Sequence, residues 1–150
     1  MLTDALLAWL HYMAIFLLIV VLSAQAILLR PDIQAQTIKR LAVYDRCYLL
    51  SAACVLITGL LRLTLGVKGV AFYMGNPWFH AKIALFLIIA LCSFPPTRAF
   101  LRWHKSAHMH AGLLPGNTEV RRVRRWVMLE AHLIILLPLC AALMSRGIGL

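Results

Sequence analysis

At 150 residues, 63% of them hydrophobic, the chain is far more apolar than a soluble domain, which is nearer about 45–50%. Its mean hydropathy of +0.86 excludes an ordinary soluble enzyme, and the length leaves room for one domain, 1–150. A formal charge of +10 would point to nucleic acid in a soluble protein, but here the cations flank apolar runs, so no nucleic-acid partner is expected.

The apolar runs are Ala5–Leu29, Leu41–Leu65, Trp78–Phe94 and Trp126–Met144. Each fits the window of about 17–25 residues that crosses the hydrocarbon as a helix. Short connections then predict an all-α, integral membrane four-helix bundle running up-down-up-down. The first run carries His11 about two turns in and Gln25 on the same face further along. Ala24-Gln25-Ala26 resembles a signal-peptidase site. No lysine or arginine precedes Trp9, however, and the run exceeds a signal-peptide core, so it reads as a retained helix. Proline disfavours helix at the residue before it, so Arg30-Pro31 should end the first helix, and Asp32 to Arg40 should turn the chain back.

The second run places Asp45, Tyr48, Ala52, Val55, Gly59 and Arg62 on one helical stripe, which should face the bundle interior. Ala52 and Gly59 permit close helix approach, within the chain or in a homo-oligomer. The helix should stop near Gly66, and Gly75-Asn76-Pro77 should turn the chain into the third. That helix opens with Trp78-Phe79-His80-Ala81-Lys82. His80 and Lys82 lie about 200° apart around a regular helix, and Lys82 shares its face with Trp78, Leu85, Ile89 and Cys92. Pro95-Pro96 should end or kink it, leaving Thr97–Met109 as a basic interfacial helix in the third connection. Pro115-Gly116-Asn117 reads as a turn with Thr118 as cap to the fourth helix. There Glu130 shares a face with Leu133, Leu137 and Cys140, whereas His132 points elsewhere.

Charge sets the expected orientation. Arg30, Lys39, Arg40 and Arg46 surround the first connection, and Arg98, Arg102, Lys105, Arg121, Arg122, Arg124 and Arg125 the third. Only Arg62, Lys68, Lys82 and Arg146 remain for the other side. The positive-inside rule puts the first and third connections in the cytoplasm and both termini outside. Cys47, Cys54, Cys92 and Cys140 form no C-x-x-C pair and read as free thiols acting as small hydrophobes.

Depth sorts the intramembrane polar groups into two layers. His11, Arg62, His80 and Lys82 lie toward the outer ends of their helices, and Gln25, Asp45, Glu130 and His132 toward the cytoplasmic ends. Ionisable groups inside a bilayer cost on the order of a few kcal/mol and mark sites or paths. Histidines with cations suit an anionic, iron-bearing macrocycle, with imidazole as axial ligand and Arg62 and Lys82 on carboxylates. Against this stand plainer readings: a hydrogen-bonded His80 and a Lys82 that snorkels. His104, His108 and His110 fall in the basic connection, where solvated rings are favoured over a copper site at His108-Met109-His110. No nucleophile–base pair, phosphate loop or zinc signature is legible.

Over nearly all its length the chain resembles a bacterial family of small predicted four-helix membrane proteins of unknown function. The likeness rests on Asp4 through Tyr12, Thr58-Gly59-Leu60-Leu61-Arg62, Ala71-Phe72-Tyr73 through Asn76-Pro77, and Glu119 through Arg125. More distantly it is similar to HemJ-type protoporphyrinogen oxidases and CopD-like membrane proteins. HemJ-type sequences carry an early first-helix histidine, matched by His11, and an arginine near that helix's far end, matched approximately by Arg30. Their W-x-H-A-K segment is matched by Trp78, His80, Ala81 and Lys82, a late Gly-Leu pair by Gly59-Leu60, and a fourth-helix glutamate by Glu130. The long basic third connection and His132 depart from that pattern.

The resemblance implies an inner-membrane protein that binds haem b, with His11 and Lys82 essential. Combined with the outer polar layer, it makes His11 the expected axial ligand and His80 a candidate second metal ligand, with Arg62 and Lys82 on the cofactor's anionic groups. In a porphyrinogen-oxidising enzyme His11, Lys82 and Glu130 would be catalytic, and electrons would leave to quinone or another membrane acceptor. The competing expectation is a cofactor-free permease for copper, protons or a small solute, or a structural membrane subunit.

Overall fold

Inside a bilayer no water satisfies the backbone, so an apolar chain of this kind must close its hydrogen bonds within helices. The computed structural model describes residues 2–67, 69–109 and 114–148, with only the backbone of His108; Lys68, His110 and the His108 side chain lie outside the described residues. It contains α1 (Leu2–Leu28), α2 (Ala35–Leu65), α3 (Gly69–Met74), α4 (Pro77–Met109), α5 (Asn117–Ile134) and α6 (Leu136–Ser145), and no strand among the described residues. Four helical stretches are long and apolar enough to cross a membrane: α1, α2, most of α4, and α5 with α6. They pack antiparallel in chain order, so both termini lie at one end and the two arginine-rich connections at the other, here the terminal and basic ends.

The helices outrun the apolar windows. α2 has 31 residues and is therefore about 45 Å long, against roughly 30 Å of hydrocarbon. It begins at Ala35, so Lys39 and Arg40 stand on its first turns rather than in a connecting coil. Hydropathy marks what lies in lipid; hydrogen bonding carries the helix on into the polar zone.

Two expectations are corrected at the basic end and a third within the last span. α4 does not stop at Pro95-Pro96 but runs on to Met109, carrying His104 with it, so Thr97–Met109 is not a separate interfacial helix. The prolines remove two backbone donors, yet the segment beyond them is held by its own packing. Phe100 is fully buried, and Ala99 and Trp103 nearly so, with Val120 and Val123 of α5 in the same core. Trp103 Nε1 donates to Glu119 Oε1 at 2.9 Å, and Arg102 pairs with the same carboxylate. Nor does Thr118 cap the last helix: Gly116 holds the cap position, with no side-chain cap bond. The last span is also broken at Ile135, between α5 and α6. Pro138 explains the break, because it offers no N–H to the Ile134 carbonyl one turn back and its ring crowds that oxygen.

Two connections are clasped together. The Asp32 N–H donates to Asn117 Oδ1 at 2.8 Å, and Asn117 Nδ2 donates to Asp32 Oδ1 at 3.0 Å. Asp32 adopts φ 60°, a left-handed conformation that aspartate tolerates better than most residues. Around this clasp sit Leu29, Ile38, Leu41, Phe100 and Val120, all without exposed surface. In the terminal half a cavity opens.

Candidate functional site: two lipid-facing cavities between α2 and α4

The terminal-half cavity has a volume of about 380 Å³ and is lined from α1, α2, α3, α4 and α6. His11, Arg62 and Lys82 all border it, so three of the four outer-layer residues meet at one space. The walls are otherwise apolar, with Leu56, Ile57, Leu60, Ile83 and Phe86 among them. Leu56, Ile57, Leu60 and Ile83 are also exposed on the lipid-facing surface, so the cavity opens sideways toward the bilayer.

His11 is only 4% exposed, and its ring is held from α2. Its Nδ1 lies 2.8 Å from Thr58 Oγ1. The Thr58 hydroxyl has one proton, and that proton is directed to the Cys54 carbonyl at 2.6 Å. Thr58 must therefore accept from His11, which assigns the neutral ring its proton at Nδ1 and leaves a lone pair at Nε2. Gly59 makes the approach possible: a Cβ there would stand 3.3 Å from His11 Cε1, tighter than ordinary contact. The α2 stripe thus works as anticipated, with Asp45, Tyr48 and Val55 buried and Ala52, Gly59 and Arg62 half-buried.

Neither cation in the cavity is neutralised by a carboxylate; among the described residues the one ion pair is Arg102 with Glu119. Arg62 stacks over the Tyr12 ring at 5.6 Å, and its Nε is buried without a hydrogen-bond partner. His80 does not join this group. It is exposed, its Nε2 donates to the Met74 carbonyl at 3.0 Å, and it is not part of the lining. Tyr73 from α3 and Met144 from α6, given no site role from the sequence, also line the cavity. Met144 was legible as the next position on the stripe Glu130, Leu133, Leu137, Cys140. Tyr73 was not, because the connection that carries it has no helical register of its own in the sequence.

The second layer lies toward the basic end. Glu130 is 1% exposed and accepts a hydrogen bond from the Tyr48 hydroxyl at 2.9 Å, while its other oxygen has no partner. Buried Asp45 accepts from Thr97 Oγ1 at 2.9 Å. Gln25 is buried with its Nε2 unpartnered. His132 stands apart, exposed and donating to the Met128 carbonyl. Beside this layer a second cavity of about 370 Å³ is lined by Tyr48, Ser93 and Thr97 with apolar neighbours, and it shares Leu56 and Phe86 with the first. All four cysteines are free thiols, and no group of three or more metal-ligating His, Cys, Asp or Glu side chains occurs among the described residues.

A family model described as "Predicted membrane protein (DUF2214)" matches residues 3–149, essentially the whole chain. No curated protein and no solved structure matches it.

Proposed function

We propose that this chain, which belongs to the DUF2214 family of predicted membrane proteins, binds haem b in the terminal-half cavity and is redox-active. The observation that carries the reading is the convergence of a histidine with a free Nε2 lone pair and two cations without carboxylate partners on one apolar, laterally open space. The donor set fits the cofactor. Imidazole is an axial ligand for haem iron, and metal-bound histidine commonly donates its other ring N–H to a fixed partner, the part Thr58 is built to take. Arg62, with its unpartnered Nε, and Lys82 suit the propionates. Among the described residues Met144 is the one thioether in the lining and supplies a second donor; His80 is left out of the set because it lies outside that lining. When bound, haem supplies one-electron chemistry, while the chain binds, orients and shields it.

The HemJ-type likeness extends the proposal to porphyrinogen oxidation with a membrane quinone as electron acceptor, assigning catalytic parts to His11, Lys82 and Glu130. The arginine-rich end favours an orientation in the bacterial inner membrane with that end in the cytoplasm. The test is a visible spectrum of the protein purified in mild detergent after expression with ample haem. A Soret band lost in His11→Ala is expected; its absence from the wild type overturns the reading. A second reading, a cofactor-free proton or small-ion path, is favoured by the shared wall of two cavities that carry ionisable groups at both ends. Flux into proteoliposomes with no Soret band would select it.

A further inference from the structure

We infer that the second cavity is a binding site for a lipid-soluble quinol, a neutral apolar ring bearing O–H donors. The inference deepens the redox reading by giving the reduced product of its quinone acceptor a place, and rests on it only in taking the ligand from the bilayer. The cavity is reached from the lipid: Leu49, Leu56 and Phe94 line it and are exposed on the outer surface. At about 370 Å³ it falls within the usual range for ring-sized ligands.

Its polarity is set by where the hydroxyl protons go. Tyr48 donates to Glu130, Thr97 to Asp45, and Ser93 to the Ala90 carbonyl at 2.8 Å. A hydroxyl has one proton, so all three are already committed. What they have left for a ligand is lone pairs. Among the described residues no lysine or arginine lines the space, so nothing there favours an anion or the bare carbonyls of an oxidised quinone. The two carboxyl groups each stand one hydroxyl behind the wall rather than in it, which suits a neutral donor better than a cation seeking direct carboxylate contact. The ionisable groups around Glu130 are Tyr48 and Asp45 from α2 and Cys92 from α4. The two cavities therefore differ in sign: the first offers positive charge, the second hydrogen-bond acceptors.

Two hydrogen bonds made by the quinol and not by the quinone are worth about tenfold in affinity. The test is anaerobic titration of the detergent-solubilised protein with decylubiquinol and with decylubiquinone, the Soret region being recorded in every sample. The quinol should bind about tenfold more tightly, equivalent to about 30 mV in the bound couple. Thr97→Val should reduce that preference to roughly threefold by removing one acceptor. Ala53→Phe, placed on the lipid-facing lip, should fill the space and abolish binding of both forms. Equal affinity for the two forms, indifference to Ala53→Phe, or stronger competition by dodecylammonium each overturns the inference. Quinol binding without a Soret band would leave this site standing and the haem reading fallen; the converse result would do the opposite.

Discussion

Thr58 and Gly59 decide how a histidine is kept within an apolar helix pair. Thr58 supplies the acceptor that fixes the His11 tautomer, and Gly59 supplies the space. Thr58→Val keeps the shape but removes the hydroxyl acceptor and leaves the ring N–H only the Val55 carbonyl, a loss of about 0.5–1.5 kcal/mol for one hydrogen bond. Thr58→Ser retains the acceptor and should stay within about 0.5 kcal/mol of wild type. Thermal unfolding in detergent separates them, and equal midpoints for the two variants would refute the assigned bond. At Gly59 two effects oppose. Alanine gains about 1 kcal/mol of helix propensity, while its Cβ at 3.3 Å pushes the imidazole by a few tenths of an ångström. Gly59→Ala should therefore be near neutral in stability, and Gly59→Val, with two further methyl groups toward the ring, should displace His11 and lose about 1–3 kcal/mol.

At the scale of the helices, the far end of α4 gives the sharpest division between two pictures. A basic helix lying at the interface would bury Phe100 in lipid and lose little protein stability on truncation. In the bundle Phe100 is fully buried against protein, so Phe100→Ala should cost about 3–5 kcal/mol. The α5–α6 break makes the reverse prediction. Pro138→Ala restores an N–H for the Ile134 carbonyl, joining α5 to α6 and stabilising the fold by up to about 3 kcal/mol, read as a raised unfolding midpoint. Helical content by circular dichroism checks the joining, and a fall in both quantities would show that the break is imposed by packing instead. These two elements also show how far the sequence was legible. The stripes through Asp45–Arg62, Trp78–Cys92 and Glu130–Cys140 were readable because a 3.6-residue period survives in any bundle. The uninterrupted course through Pro95-Pro96 was not, because what holds it is tertiary contact with Val120 and Val123 on another helix. The cavities were invisible for the same reason: they exist between α2 and α4, and hydropathy treats a lipid-facing leucine and a cavity-facing one alike.

Over the whole molecule, packing and charge are polarised along one axis. The basic end holds the clasp between Asp32 and Asn117, most of the fully buried side chains and most of the arginines. The terminal end holds the His11 cavity and the short α3. Clustered arginine resists translocation when it flanks a span within about 15–20 residues, and Arg121, Arg122, Arg124 and Arg125 all lie on the first turns of α5. The expected orientation therefore has the basic end in the cytoplasm and the His11 cavity near the opposite face. A carboxy-terminal alkaline phosphatase fusion should be active and a fluorescent-protein fusion at the same point dark. Replacing the four α5 arginines by glutamine should weaken that asymmetry, yielding a mixed population without unfolding the bundle, since Val120, Val123 and Val127 on the buried face are untouched. A dark phosphatase with a bright fluorescent fusion would reverse the axis. It would also bring the His11 cavity to the cytoplasmic face, so that its ligand would be recruited from the inner rather than the outer leaflet.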